Sequence, residues 1–554
     1  MTQGKHPTRR PAARQRKSET IGDFEITVEQ RGLSAEELDR LREQVLHAPA
    51  VREALGDARS MLLSLVVDEP LAAAKGRRVR SPDHFQAALY DYTNNRTLRV
   101  NGLLSNLDGL QVEPFGDQPL PSHEEFAYAV DLLRQDQDIG PLLERQLMTP
   151  YPAMPPLLDI ETEDGRVERT LAIGLLPVRD GVRHEIVGVN MIHEHVLRFR
   201  EGAPPGARAE HSLCGVVRDA FQATTSSAAG QVWINVWQGG QRIWRFLAVR
   251  PAASSGTRGS GVELRYVDYR GKRVLYRAHV PILNVRYDND TCGPYRDWQN
   301  QEGMINAVGT DVAPGFRLCS APATTVFDTG SDTGNFLGVG IYVQGEEVVL
   351  VSEMEAGWYR YVSEWRLHAD GTIRPRFGFA AVQNSCVCNR HHHHAYWRFD
   401  FDIRTAGNNV VSEFNNPSLG GGANWHTKQY EIQRPRDPAR QRKWRVADAA
   451  TGSGYEIIPG ADDGVATQTP DWPFSQGDVW ILRYRGNELD DGVNVTGGPA
   501  SLLQAHLGNW VNGEHILNRD VVIWYAGHAV HDAAHEQPGH FGHVVGPDLR
   551  PFNW

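Results

Sequence analysis

The sequence predicts a mainly β protein: a large antiparallel β-sandwich preceded by two small α+β domains. Three observations predict it. From about residue 211 onward, short apolar runs alternate with turns bearing Gly, Asn and Asp. Helical periodicity is scarce throughout that stretch. Ahead of it, two helix-start signals are each followed by strand-like runs. At 554 residues the chain is too long for one core, and its frequent glycine and proline suit a folded, turn-rich β protein.

Residues 1–20 are basic, with Arg9-Arg10 and Arg14 through Lys17, and lack the apolar stretch of a secretory signal. They read as a disordered, solubilising tail. The first small domain is expected over 21–115. Ser34-Ala-Glu-Glu37 opens a run with Leu38, Leu41, Val45 and Leu46 at helical spacing. This matches a capping box, in which serine and glutamate satisfy each other's free backbone amides. Met61 to Val67 then reads as a strand. The second small domain is expected over 116–210 and starts the same way. Ser122-His-Glu-Glu125 leads into Phe126, Ala129, Val130 and Leu133, with strands at Thr170 to Leu176 and Glu185 to Met191. The likeness of the two halves suggests a duplication. Pro204-Pro205-Gly206 marks a boundary. The remainder, 211–554, reads as the β-sandwich, with strands at Gln231–Trp237, Ile243–Val249, Val262–Tyr269, Val274–Pro281 and Val348–Val351.

Bulk chemistry narrows the function. A net charge of −11 disfavours a nucleic-acid partner, because phosphate binding needs a cationic face. No apolar run is long enough to cross a bilayer as a helix, so no membrane partner is expected. Five cysteines without an export signal suggest mostly free thiols, a reducing compartment and a cytoplasmic location. Cys386-Val-Cys388 is a weak pattern for a soft metal site. No GxxxxGK[ST] segment offers a phosphate cradle.

Two histidine clusters stand out. One is His391 through His394, followed by Ala-Tyr-Trp-Arg-Phe-Asp-Phe-Asp; the other ends in His528-Ala-Val-His531. A strand points residues i and i+2 to one face, so His391 and His393 can offer two imidazoles together, and His531 a third. Three neutral imidazoles suit copper or zinc, and copper(II) binds such sites more tightly. His392 with His394 is the alternative register, and His535, His540 and His543 crowd the second cluster.

In these motifs the chain resembles the copper amine oxidases. Arg270-Gly-Lys-Arg-Val-Leu-Tyr-Arg-Ala278 is similar to that family's VLYRAS strand. His391-His-His393 with Arg398-Phe-Asp400-Phe-Asp402 resembles its HxH…RLDMD segment. Asp520-Val-Val-Ile-Trp-Tyr525 with His531 resembles its DVVLWY strand and third copper histidine. Phe541-Gly-His543 and Leu549-Arg-Pro-Phe552 resemble its closing motif. The resemblance implies copper on His391, His393 and His531, the register that best places Arg398 and Asp400. It also implies a peripheral calcium site built from Asp400, Asp402 and Asp520 with the Phe401 and Val521 carbonyls. A homodimer, a small amine substrate and O2 are implied as partners.

The pattern breaks at two places. Family members make a quinone (topaquinone) from a tyrosine in an Asn-Tyr-Asp/Glu motif. The matching tyrosine here is Tyr359, flanked instead by Trp358 and Arg360. A guanidinium beside a phenol favours the phenolate, and Trp358 adds bulk where the quinone would turn. The family's catalytic base is an aspartate, and counting from Tyr287 or back from Asp328 arrives at Gln301. Glutamine cannot act as a base at neutral pH, which leaves Glu302, reached by a one-residue slip, and Asp297. Three functions are compatible: an amine oxidase with a quinone at Tyr359, a quinone-free copper oxidase or oxygenase with an unmodified tyrosine, and a non-catalytic copper-binding protein.

Overall fold

The computed structural model describes residues 16–69, 75, 82–161, 165–178, 184–199, 214–217, 229–252, 261–287, 295–296, 301–384, 386–493, 499–532 and 543–554. The fold is mainly β, as the sequence predicts. Among the described residues, two large sheets of eleven and thirteen strands face each other, and one apolar core fills the space between them. Their pairing is antiparallel, apart from one parallel step between Phe316–Cys319 and Val339–Gln344. No helix among these residues is long and apolar enough to cross a membrane.

Each small domain is a helix-led four-stranded antiparallel sheet. In the first, helix Ala35–His47 buries Leu38, Leu41 and Val45 against strands that include Ser60–Asp68 and His84–Asp91. Both halves of the Ser34–Glu37 capping box form. In the second, helix His123–Gln135 starts at Ser122, but only half the box forms. Glu125 turns inward instead, and its carboxylate accepts two hydrogen bonds of 2.6 Å from buried Arg169 and one from the Tyr92 hydroxyl. A buried guanidinium is a stronger partner than a backbone amide. The two small domains pack on each other, because Leu63, Tyr90 and Tyr92 of the first share a core with Leu133, Leu171 and Val187 of the second.

Two expectations are corrected. Arg16–Ile21, expected in the basic tail, is an edge strand, and Phe24–Gln30, expected in the first small domain, pairs with Gly230–Gln238 in the first large sheet. The period-2 burial of Phe24, Ile26 and Val28 decides this, because the sandwich offers them an apolar face. Residues 1–15 and Pro204-Pro205-Gly206 lie outside the described residues. The second correction concerns cysteine. Cys214 and Cys388 form a disulfide, and Cys319 is the free thiol among the described residues. Cysteine content therefore no longer points to a reducing compartment.

Four strands position the site. His391–Phe401 pairs with Val521–His531 in the middle of the first sheet, with His391 facing His531 and Phe401 facing Val521. Glu347–Ala356 and Tyr359–His368 form a hairpin in the second sheet, with Ala356 facing Tyr359. Its two-residue turn is Gly357-Trp358. Gly357 has φ +56°, a conformation that disfavours any side chain at the first position of such a turn.

Candidate metal centre

Alternation along the His391–Phe401 strand sends His391 and His393 into the core between the sheets. His531, directly across the ladder from His391, points the same way, and the ligand atoms of all three lie within 4.8 Å of one another. His391 Nδ1 is 2.5 Å from the Asn389 carbonyl, so its proton goes there and Nε2 keeps a lone pair. That Nε2 lies 3.1 Å from His393 Nε2. Burial, and the neighbouring His531, hold His391 well below the usual imidazole range, so it stays neutral. From the opposite sheet, the Tyr359 hydroxyl reaches 2.7 Å from His391 Nε2 and 2.6 Å from His531 Nδ1. A buried, electron-rich pocket of three imidazoles and a phenol is the donor set a copper ion needs, so the residues fit that metal.

The alternative register does not converge. His394 lies on the other face, with Nε2 2.6 Å from Asp471 and Nδ1 2.8 Å from His528 Nδ1. His528 Nε2 in turn lies 3.0 Å from Asp478. His392 stacks beside His394 at 6.4 Å. This buried Asp–His–His–Asp chain was not legible in the sequence, because Asp471 and Asp478 come from a loop with no motif.

Tyr359 is walled in. Tyr361 stacks on it at 5.5 Å, and His393 meets it edge-on at 4.4 Å. Trp358 donates its indole N–H to the Tyr287 hydroxyl at 2.6 Å, and the Tyr287 ring lies 4.2 Å from His391. Trp358 therefore braces the His391 ring through Tyr287. Arg360 does not face the phenol. It follows Tyr359 on a strand, so its side chain leaves on the other face. There it pairs with Asp332 at 2.5 and 2.8 Å, approaches Glu355 at 3.4 Å and donates to the Tyr359 carbonyl at 2.9 Å. The expected pull of a guanidinium on the phenol is corrected accordingly: its charge is cancelled behind the sheet. Burial pushes the nearby Glu353 carboxyl up to about 8.

Of the base candidates, Gln301 and Glu302 form a short strand against the hairpin, with Gln301 opposite Glu355 and Glu302 opposite Met354. Asp297, Phe541, His535 and His540 lie outside the described residues. Asp400, Asp402 and Asp520 do converge, and Phe401 and Val521 face each other in the ladder beside them. The centre of that trio is taken by the Lys75 ammonium, which bonds all three carboxylates. As arranged, these residues hold an ammonium and do not fit the expected calcium ion.

Comparison with known proteins agrees with this picture. Residues 368–554 match the family model for the copper amine oxidase enzyme domain. The fold is that of copper amine oxidases. A copper-containing benzylamine oxidase from Hansenula polymorpha superposes with a TM-score of 0.54 at 12% identity, over 99% of this chain and 94% of that one. An amine oxidase from Aspergillus nidulans gives 0.51 at 13% identity, covering 95% and 88%. A lysyl oxidase from Pichia pastoris gives 0.51 at 13%, covering 94% and 89%. No curated protein matches the sequence.

Proposed function

We propose that this chain is a copper-dependent oxidase that oxidises a primary amine, or an amine-bearing metabolite, with O2. The observation that carries this reading is the seat of the Tyr359 hydroxyl, within 2.7 Å of both His391 Nε2 and His531 Nδ1. His391, His393 and His531 would hold the copper. Bound there, copper supplies the one-electron chemistry with O2 that an oxidase requires, including oxidation of a phenol to a quinone. The chain's own residues do the rest. Tyr361 and His393 fix the plane of the Tyr359 ring, and Trp358 fixes Tyr287 against His391. The near-complete burial of Tyr359 excludes water from the reacting phenol. Glu302 is assigned to accept the substrate's α-proton, with Asp297 as second candidate, because Gln301 cannot. A homodimer, measurable by sedimentation velocity, is part of the reading.

A specific observation favours a second reading, a copper oxidase or oxygenase with unmodified Tyr359. The ring is caged by Tyr361 and His393, so a quinone could not swing away from the metal unless they yielded. Intact mass and peptide mapping after aerobic copper loading separate the two. A gain of one or two oxygens less two hydrogens at Tyr359, with amine-dependent O2 uptake, supports the quinone enzyme. An unchanged mass with O2 uptake supports the second reading. Stoichiometric copper without turnover on any amine tested overturns both.

A further inference from the structure

We propose that Lys75 is this chain's built-in replacement for a divalent cation: its ammonium closes the Asp400–Asp402–Asp520 site to calcium and clamps the first small domain onto the sandwich.

Lys75 lies in the connection between strands Ser60–Asp68 and His84–Asp91 of the first small domain, whereas the three aspartates belong to the sandwich. Its Nζ is 2.5 Å from Asp400 Oδ1, 2.9 Å from Asp402 Oδ1 and 2.6 Å from Asp520 Oδ1. An ammonium has three hydrogens, and all three find a carboxylate. Two of these distances fall within the roughly 2.3–2.6 Å of calcium–oxygen bonds and the third lies slightly above it, so a hollow of this size can take either cation. The rest of the surroundings choose between them. The Tyr484 and Tyr276 rings lie 3.9 and 4.9 Å from Nζ. Aromatic faces attract an ammonium but give a calcium ion no lone pair to bind, so calcium could enter only in the lysine's absence, with water completing its about six to eight oxygens.

The lysine is delivered by a connection that is itself anchored. Asp68, at the end of the first strand, accepts both Arg265 amino groups at 2.6 and 2.9 Å. Glu69 accepts the Tyr266 hydroxyl at 2.6 Å and faces Arg31 at 3.2 Å. The connection therefore meets the sandwich with two anions and then one cation, each against its opposite or a hydroxyl donor. One lysine, with Arg398 at 3.5 Å from Asp400, does not balance three carboxylates. Burial accordingly pushes the Asp402 and Asp520 carboxyls above their ordinary range. A chain without Lys75 would present a site with a strong demand for a doubly charged ion.

Calorimetric titration of the full-length protein with CaCl2 tests this. Wild type should take up no calcium at this site, and its melting temperature should be the same in calcium and in chelator. Lys75→Ala should bind one calcium per chain, and calcium should raise its melting temperature. Asp520→Asn added to that variant should weaken calcium binding at least tenfold. Stoichiometric calcium binding by wild type, displacing the lysine, overturns the proposal. So does a folded Lys75→Ala chain that still loads copper but binds no calcium. Should Lys75→Ala fail to fold, acylation of wild-type lysines by an N-hydroxysuccinimide ester, read by peptide mass, decides. Lys75 should react at least tenfold more slowly than the other lysines, with and without millimolar calcium. Rapid acylation, or protection lost on adding calcium, refutes it.

Discussion

Replacing Asp332 with asparagine tests how the charge of Arg360, next to the candidate cofactor tyrosine, is disposed of. Both side chains are fully buried, and the guanidinium is held by two short contacts to Asp332. Breaking a buried ion pair from one side costs about 3–5 kcal/mol, because the partner charge is left without compensation. Glu355, at 3.4 Å, gives partial relief. Glu353, pushed up to about 8 and so largely protonated at neutral pH, can ionise to give more. The lower end follows, about 3 kcal/mol, or roughly a hundredfold in the folding constant. Urea unfolding of the metal-free chain, read by tryptophan fluorescence of the sandwich transition, measures it at unchanged m-value. A double-mutant cycle sharpens the result. Asp332→Leu with Arg360→Met removes both charges and should cost at least 1 kcal/mol less than the two single changes summed. Single costs that simply add, or an Asp332→Asn loss within about 0.5 kcal/mol of zero, refute the pairing.

Other outcomes follow from the same geometry. His391→Ala, His393→Ala and His531→Ala should each lose stoichiometric copper by elemental analysis, while His392→Ala retains it. Tyr359→Phe should keep the metal within about tenfold in affinity, since the phenol is not one of the three imidazoles, while amine-dependent O2 uptake falls to background. Glu353 is protonated in the fold up to about pH 8 but in the unfolded chain only to about 4.5. Its contribution to stability is therefore full in acid, falls by roughly 1.4 kcal/mol per unit as pH rises between those values, and levels off above them. Glu353→Gln should flatten that decline in unfolding experiments run across the range. Cys388→Ser, which opens the disulfide to Cys214, should lower stability by about 2–4 kcal/mol in the same assay.

The parts of this fold legible in the sequence are those governed by short-range periodicity. The alternation of His391 and His393 and the capping serines Ser34 and Ser122 follow from spacing alone. The role of Phe24–Gln30 did not, because its partner strand, Gly230–Gln238, lies some two hundred residues on. The same holds for Arg360. Its type and position suggested an effect on the phenol, but the strand's alternation carries it away to Asp332, which belongs to no motif. Lys75 shows the limit most plainly. The three aspartates matched a metal-site pattern, and nothing local to them reports that a lysine more than three hundred positions earlier fills the hollow.

Strands His391–Phe401 and Val521–His531 run opposite each other over eleven residue pairs without a break in register. The imidazoles gather at one end of this ladder and the carboxylates at the other, on the order of 30 Å apart. Sliding one strand by a single step would turn every one of its side chains to the wrong side. The two clusters thus work as the paired marks of a vernier: only one alignment satisfies both. Lys75 bonds Asp400 on one strand and Asp520 just ahead of the other, so it ties the two strands together at the end of the ladder far from the imidazoles.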